Sequence, residues 1–346
     1  MSKEPPLRRL ITINYLIQNR GMSAKLYPLK FIPQFKSVIW GGSRLAAFKA
    51  TEAATNDVGE SWELSDVTSH ESIVADGELQ GCSLHDLITN YGEKLVGEIP
   101  LRRFGTKFPI LIKLIDANDD LSVQVHPDDT LAAARHNCMG KTEMWYVIDV
   151  QPGAKIYSGM ARHITPDQYV DHVADGTFTD DIACHKSHPG DVFFIPAGRV
   201  HAIGAGNLIA EIQQTSDITY RIYDYNRRDA QGNLRQLHTE EARDAIDYNV
   251  SDDYLSTYDH NAPVATLVDC PFFTVKLLKP QGTLAVDMPQ GSFLSLTAVA
   301  GEANIIADGV TVSIRQGETV LVPAETSSLT LDGTATILSA SIPSEK

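Results

Sequence analysis

His188-Pro189-Gly190-Asp191-Val192-Phe193-Phe194-Ile195-Pro196-Ala197 and Arg315-Gln316-Gly317-Glu318-Thr319-Val320-Leu321-Val322-Pro323-Ala324 are two versions of one pattern. In each, a glycine and an acidic residue make a turn, four strand-forming residues follow, and the run closes on Pro-Ala. The proline falls six residues after the glycine both times. One β-motif occurring twice predicts two similar β-barrels in tandem.

The rest of the chain agrees with that reading. Short runs rich in Val, Ile, Phe and Thr recur between Gly, Pro, Asn and Asp, among them Phe108 to Ile115, Leu121 to Val125 and Met144 to Val150. Later come Phe272 to Leu278, Phe293 to Val299 and Thr334 to Ile342. This punctuation predicts an all-β architecture. Helices are expected at three places. Ser83 caps a segment reaching Tyr91, Thr165-Pro166-Asp167-Gln168 opens another, and Thr239-Glu240-Glu241-Ala242 a third. The second begins a small helical insertion expected from Thr165 to His185. The polar stretch Asp252–Val264 is the expected boundary. It gives a tail over residues 1–25, a catalytic domain over 26–255 and a C-terminal barrel over 256–346.

Composition excludes several classes. The 346 residues are 43% apolar and 21% charged, which is the balance of a packed protein rather than a disordered one. The net charge of −15 makes a general nucleic-acid or anionic-membrane binder a poor reading. No run approaches the ~20 apolar residues that span a bilayer. Leu10 to Ile17 loosely resembles a signal sequence, but Thr12 and Asn14 break it and no small-residue cleavage site follows. Residues 1–21 are therefore read as a loose tail or an over-called start. The cysteines Cys82, Cys138, Cys184 and Cys270 form no CxxC pair and are expected as reduced thiols in a cytoplasm.

The chemistry concentrates in Ser122-Val123-Gln124-Val125-His126-Pro127-Asp128. On a strand, alternate side chains share a face, so Ser122, Gln124 and His126 point together and the valines oppose them. Glu143 follows in Gly140-Lys141-Thr142-Glu143-Met144-Trp145-Tyr146, and His201 ends the stretch that begins at Pro189. Two imidazoles, a carboxylate and an amide oxygen suit a borderline divalent ion such as Zn²⁺. The pairs Asp128-Asp129 and Asp180-Asp181 are expected as solvated turn charges. Gly204-Ala205-Gly206 is read as a hairpin, not a dinucleotide fingerprint.

At these residues the chain resembles the cupin superfamily. Pro189 to His201 matches the second cupin motif, PG-D-x-x-x-x-P-x-G-x-x-H, and Gln124, His126 and Glu143 match the first in reduced form. Within the superfamily it is similar to type I mannose-6-phosphate isomerases, compact bacterial branch. That likeness rests on the Gln-Val-His-Pro and Gly-Lys-Thr-Glu-Met-Trp-Tyr stretches, Ile39-Trp40-Gly41-Gly42, Gly59-Glu60-Ser61-Trp62-Glu63 and Thr215-Ser216-Asp217-Ile218-Thr219-Tyr220-Arg221. The resemblance implies two jelly-roll barrels, the first holding one Zn²⁺ on Gln124, His126, Glu143 and His201. It implies a metal-dependent interconversion of mannose 6-phosphate and fructose 6-phosphate through an enediolate. Arg221, Glu211 and Lys141 are then expected to be catalytic, and Ser122, Lys141 and Arg227 to bind substrate, Lys141 and Arg227 at its phosphate. The second barrel keeps the Gly-acid-Pro skeleton but carries Ser328 where His201 would fall, so it is expected to be metal-free. The expected partner is a small sugar phosphate, not nucleic acid or membrane, for a monomer or weak homodimer. An iron-dependent cupin oxygenase and a non-catalytic sugar-binding cupin would share the ligand set and are the alternatives.

Overall fold

The computed structural model describes residues 25–52, 57–228 and 231–344. Of the tail expected over residues 1–25, only Lys25 lies within that range. The first barrel is a sandwich of two sheets. One has six strands in the order Val192–Ile195, Glu143–Val150, Asn207–Gln214, Ile110–Asp116, Val58–Leu64 and Gln34–Gly42. The other has five, in the order Ile182–Lys186, Lys155–Met160, His201–Ile203, Val123–Val125 and Tyr220–Tyr223. All pairings within both are antiparallel.

Strand Ile110–Asp116 is buried along its whole length because the sheet is covered on both faces. Ile115 faces the barrel interior with Trp40, Trp145 and Ile209. Ile110, Ile112 and Leu114 face outward into a core shared with a helical patch and with the second barrel. That patch begins as expected, with the Ser83 hydroxyl accepting the Asp86 amide at the head of helix Leu84–Tyr91. It continues through two short helices, Glu93–Val96 and Glu98–Phe104, which the sequence reading missed. The insertion starts where expected. Thr165 and Gln168 form a reciprocal capping box on helix Pro166–Asp175. It ends earlier than expected, because Gly176 takes the left-handed conformation that closes a helix. Ile182–Lys186 is then a strand paired with Lys155–Met160, not insertion.

The second barrel is built from one eight-stranded sheet whose long strands, Leu294–Ala307 and Leu329–Ser341, pair along most of their length. Its interior is apolar, filled by residues such as Leu296, Ile305, Ile314, Val320, Leu331 and Ile337. The repeat is real in three dimensions. Gly190 and Gly317 both have positive φ, and each leads into a short strand, Val192–Ile195 or Thr319–Val322. Leu29–Lys30, inside the segment expected to belong to the catalytic domain, pairs instead with Thr319–Val322 of the second sheet.

Candidate active site

Backbone pairing brings the site residues together. His201 and Arg221 lie opposite Gln124 from its two neighbouring strands. On the facing sheet Ile195 and Gln213 flank Glu143, while Lys113 and Trp145 flank Glu211. The two motifs are also tied directly, since the Gly198 amide donates to the His126 carbonyl at 2.9 Å. Gly198 sits at φ +89, and a Cβ there would come within 3.1 Å of the Ala245 carbonyl oxygen, so the turn calls for glycine.

His126, Glu143 and His201 are buried, and one ligand atom from each lies within 4.8 Å of the others. Each histidine donates through Nδ1 to a backbone carbonyl, His126 to Ile218 at 2.9 Å and His201 to Arg199 at 2.8 Å. A carbonyl only accepts, so the protons reside on Nδ1 and both Nε2 atoms present lone pairs. Those lone pairs face each other at 3.1 Å and face Glu143 at 3.4 and 3.5 Å. Both Glu143 oxygens lack a well-formed hydrogen bond, although the Lys141 ammonium stands 3.2 Å from Oε2. Converging lone pairs beside a buried carboxylate call for positive charge, which Lys141 supplies on one side only, and the donor set fits a divalent metal. Gln124 contributes from the cluster's edge, its amide 3.3 Å from His201 Nε2. A half-turn of that amide puts its oxygen there instead. Without a metal, burial pushes the Glu143 carboxyl up to about 7. Burial also pushes His201 down to about 3 and His126 well below the usual imidazole range.

A cavity of about 200 Å³ adjoins the cluster, lined by Ser122, Gln124, Lys141, Glu211 and Arg221, five of the residues expected at the site. Lys141 is held at the metal end, 3.1 Å from His126 Nε2, by its own amide bond to the Pro127 carbonyl. Glu211 accepts from Trp145 Nε1 at 2.9 Å and pairs with Lys113 at 3.1 Å. Burial alone would raise the Glu211 carboxyl, but Lys113 and then Lys141 hold it below the usual carboxylate range. Burial lowers the Arg221 guanidinium, with the charge of Arg235 adding to it, and Arg221 Nε is buried without a partner.

Arg227 is not brought into this cavity. Its guanidinium is committed to Asp224 and to the Asp120 carbonyl. Arg235, which the sequence reading passed over, lines the cavity instead, as does Lys113. A signal for Lys113 was available, since it is a lone charge inside an apolar strand; Arg235 had none. Of the two acidic pairs expected as solvated turns, Asp128, Asp129 and Asp181 are structural, while Asp180 is exposed as expected. Asp128 caps helix Asp129–His136, and Asp129 binds the Gly140 amide at 2.7 Å. Asp181 is buried between Arg162 and His172, each at 2.6 Å.

The second barrel offers no counterpart. Ser328 is exposed and bonds Asp308. Among the described residues, His126, Glu143 and His201 are the one group of three metal-binding side chains.

Fold and cluster together define a two-barrel cupin whose first barrel can hold a metal ion. The catalytic-domain model of type I phosphomannose isomerases matches residues 28–151, and the cupin-domain model of mannose-6-phosphate isomerases matches residues 264–342. The mannose-6-phosphate isomerase ManA of Bacillus subtilis (strain 168) is 35% identical over 320 residues, covering 89% of this chain and 96% of that protein. A mannose-6-phosphate isomerase of Streptococcus mutans serotype c is 34% identical over 315 residues, covering 90% and 97%. The crystal structure of the Bacillus subtilis mannose 6-phosphate isomerase matches with a TM-score of 0.83 at 30% identity, over 91% of this chain and 99% of that one. The chain belongs to the type I mannose-6-phosphate isomerase family. Membership decides for an isomerase over an oxygenase or a sugar sensor.

Proposed function

We propose that the protein interconverts mannose 6-phosphate and fructose 6-phosphate through an enediolate, with one zinc ion held by Gln124, His126, Glu143 and His201. The observation that carries this reading is the buried cluster of converging lone pairs beside Glu143, opening onto a cavity lined by cations. When bound, the metal supplies a Lewis acid that polarises the two substrate oxygens and leaves residual positive charge for an anionic intermediate. Arg221 remains cationic and offers its unpartnered Nε to charge developing along the substrate, an electrostatic rather than a basic role. Glu211, kept ionised by Lys113, is assigned as proton acceptor. Lys141, beside the cluster, is assigned as donor, a role its position favours over the phosphate contact also expected of it. Ser122 holds a substrate hydroxyl.

We read the protein as a cytoplasmic monomer or weak homodimer acting on a small sugar phosphate. Its four cysteines are unpaired, which supports a reducing compartment. No helix among the described residues is long and apolar enough to cross a membrane. The direct test is conversion of mannose 6-phosphate to fructose 6-phosphate by purified protein in deuterated water. Turnover with deuterium entering the recovered sugar supports isomerisation through an enediolate. No turnover defeats the activity, and a sugar still free of deuterium after many catalytic cycles at equilibrium defeats the enediolate.

A further inference from the structure

Arg221, Arg227 and Arg235 gather around one buried carboxylate, Asp224. Asp224 accepts from Arg227 Nη2 at 2.6 Å and from Arg235 Nε at 2.7 Å, and Arg235 Nη2 also reaches Asp224 Oδ1. Arg227 is fully committed. Its Nε donates to the Asp224 carbonyl at 3.3 Å and its Nη1 to the Asp120 carbonyl. Arg235 differs, since the edge bearing Nε and Nη2 grips Asp224, Nη1 is not committed there, and the side chain lines the cavity. The loop is fixed beside Arg221, whose Nη1 donates to the Gln236 carbonyl at 2.9 Å and whose carbonyl accepts the His238 amide at 2.7 Å.

Three guanidiniums against Asp224, and against Asp217 on the same cavity, leave a local surplus of one positive charge in a chain of net charge −15. The other cations lining the cavity are already answered, Lys113 by Glu211 at 3.1 Å and Glu60 at 3.9 Å, and Lys141 by Glu143 at 3.2 Å. Position matters as much as charge. His201, Gln124 and Arg221 form one cross-strand row, so Arg221 stands one strand from Gln124 and two strands, roughly 10 Å, from His201. An open-chain hexose phosphate has its reacting carbons at one end and its phosphate at the other. With Arg221 beside the reacting carbons, the phosphate falls beyond it, where the Arg235 loop is seated on the same cavity.

We propose that Arg235, seated by Asp224 and flanked by Arg221, is the clamp for the substrate phosphate, and that Arg227 is a positioning residue that holds Asp224 for it. The inference rests on the isomerase reading above. It reverses the expectation from resemblance, which gave the phosphate to Arg227.

The test compares Arg235→Met, Arg235→Lys, Arg227→Met and Arg227→Lys in the zinc-loaded protein. It measures kcat and KM for mannose 6-phosphate, inhibition by inorganic phosphate, melting temperature and zinc content. Loss of a charge-assisted phosphate contact by Arg235→Met is expected to raise KM and the phosphate inhibition constant at least about tenfold, well beyond any fall in kcat, with zinc content unchanged. Arg235→Lys should recover only part, because the fork is gone. Arg227→Met should shift both constants less and lower the melting temperature, with Arg227→Lys restoring much of each. Unchanged KM and phosphate inhibition in Arg235→Met overturn the clamp, as does a larger effect at Arg227 than at Arg235. If Arg235→Met unfolds, Arg235→Lys decides by the same two constants. If the wild-type protein fails to turn over mannose 6-phosphate, the isomerase reading falls. Calorimetric titration with inorganic phosphate then decides the clamp alone: weaker binding by the Arg235 variants supports it, and equal binding overturns it.

Discussion

Glu143 carries the largest electrostatic demand of any residue in the site. It is buried against two imidazole lone pairs, and without a metal its carboxyl is pushed up to about 7. His201 at about 3 and His126, also far below the usual range, remain neutral at every physiological pH. The proton competing with the metal is therefore Glu143's alone. Above about pH 7 the carboxylate is already ionised and affinity is level. Below it, each ion bound must displace one proton, so apparent affinity should fall about tenfold per pH unit. Chelator competition between pH 5.5 and 8 reads this slope, which should vanish in Glu143→Gln. A slope of two or more protons would mean that the histidines bind protons in the metal-free state. Arg221 supports a second expectation. Arg221→Ala should lower kcat by roughly 10²–10³, as removal of an oxyanion donor does, with little change in melting temperature. A structural salt-bridge role predicts the reverse, a lower melting temperature with kcat near normal.

At the scale of elements, the metal motif was legible because its information is local. The two-residue strand period aligned Gln124 with His126, and the Gly-Asp and Pro-x-Gly turns bracket strand Val192–Ile195, after which the chain crosses to the strand that begins at His201. Helix starts were legible for the same reason, through the caps at Ser83 and Thr165. What failed to show were roles fixed by distant partners. Arg227 was expected at the substrate, yet the carbonyl of Asp120, more than a hundred residues away, takes its guanidinium. Arg235 lies in a loop with no period, and its meaning rests on Asp224. The second copy of the Gly-acid turn has an assignment that sequence also hid. Gln316 Nε2 donates to the Phe48 carbonyl at 3.0 Å, and Lys49 bridges the Gly317 carbonyl to Glu63. This turn is a docking latch onto the first barrel. Lys49 and Glu63 are both buried, so Lys49→Met leaves an unpaired buried carboxylate and should cost about 3–5 kcal/mol of stability by chemical denaturation. A cost below 1 kcal/mol would show that the latch contributes nothing.

Across the whole molecule, the barrels divide the work by what fills them. The interior of the second is aliphatic and supports no ligand set. The interior of the first mixes an aromatic and aliphatic floor with the metal cluster and the Lys113–Glu211 pair. The outer face of the six-stranded sheet joins the helical patch and the second barrel in one core, which stiffens the sheet carrying Glu143 and Glu211. On the proposed reading, one divalent ion at His126, Glu143 and His201 makes this fold an isomerase. The most direct measurement is a zinc titration of chelated protein, followed by mannose 6-phosphate turnover. Activity should be absent at the start, rise linearly and level off at one ion per chain, and His126→Ala should flatten the curve. Full turnover by the chelated protein, or a plateau at another stoichiometry, would contradict the claim.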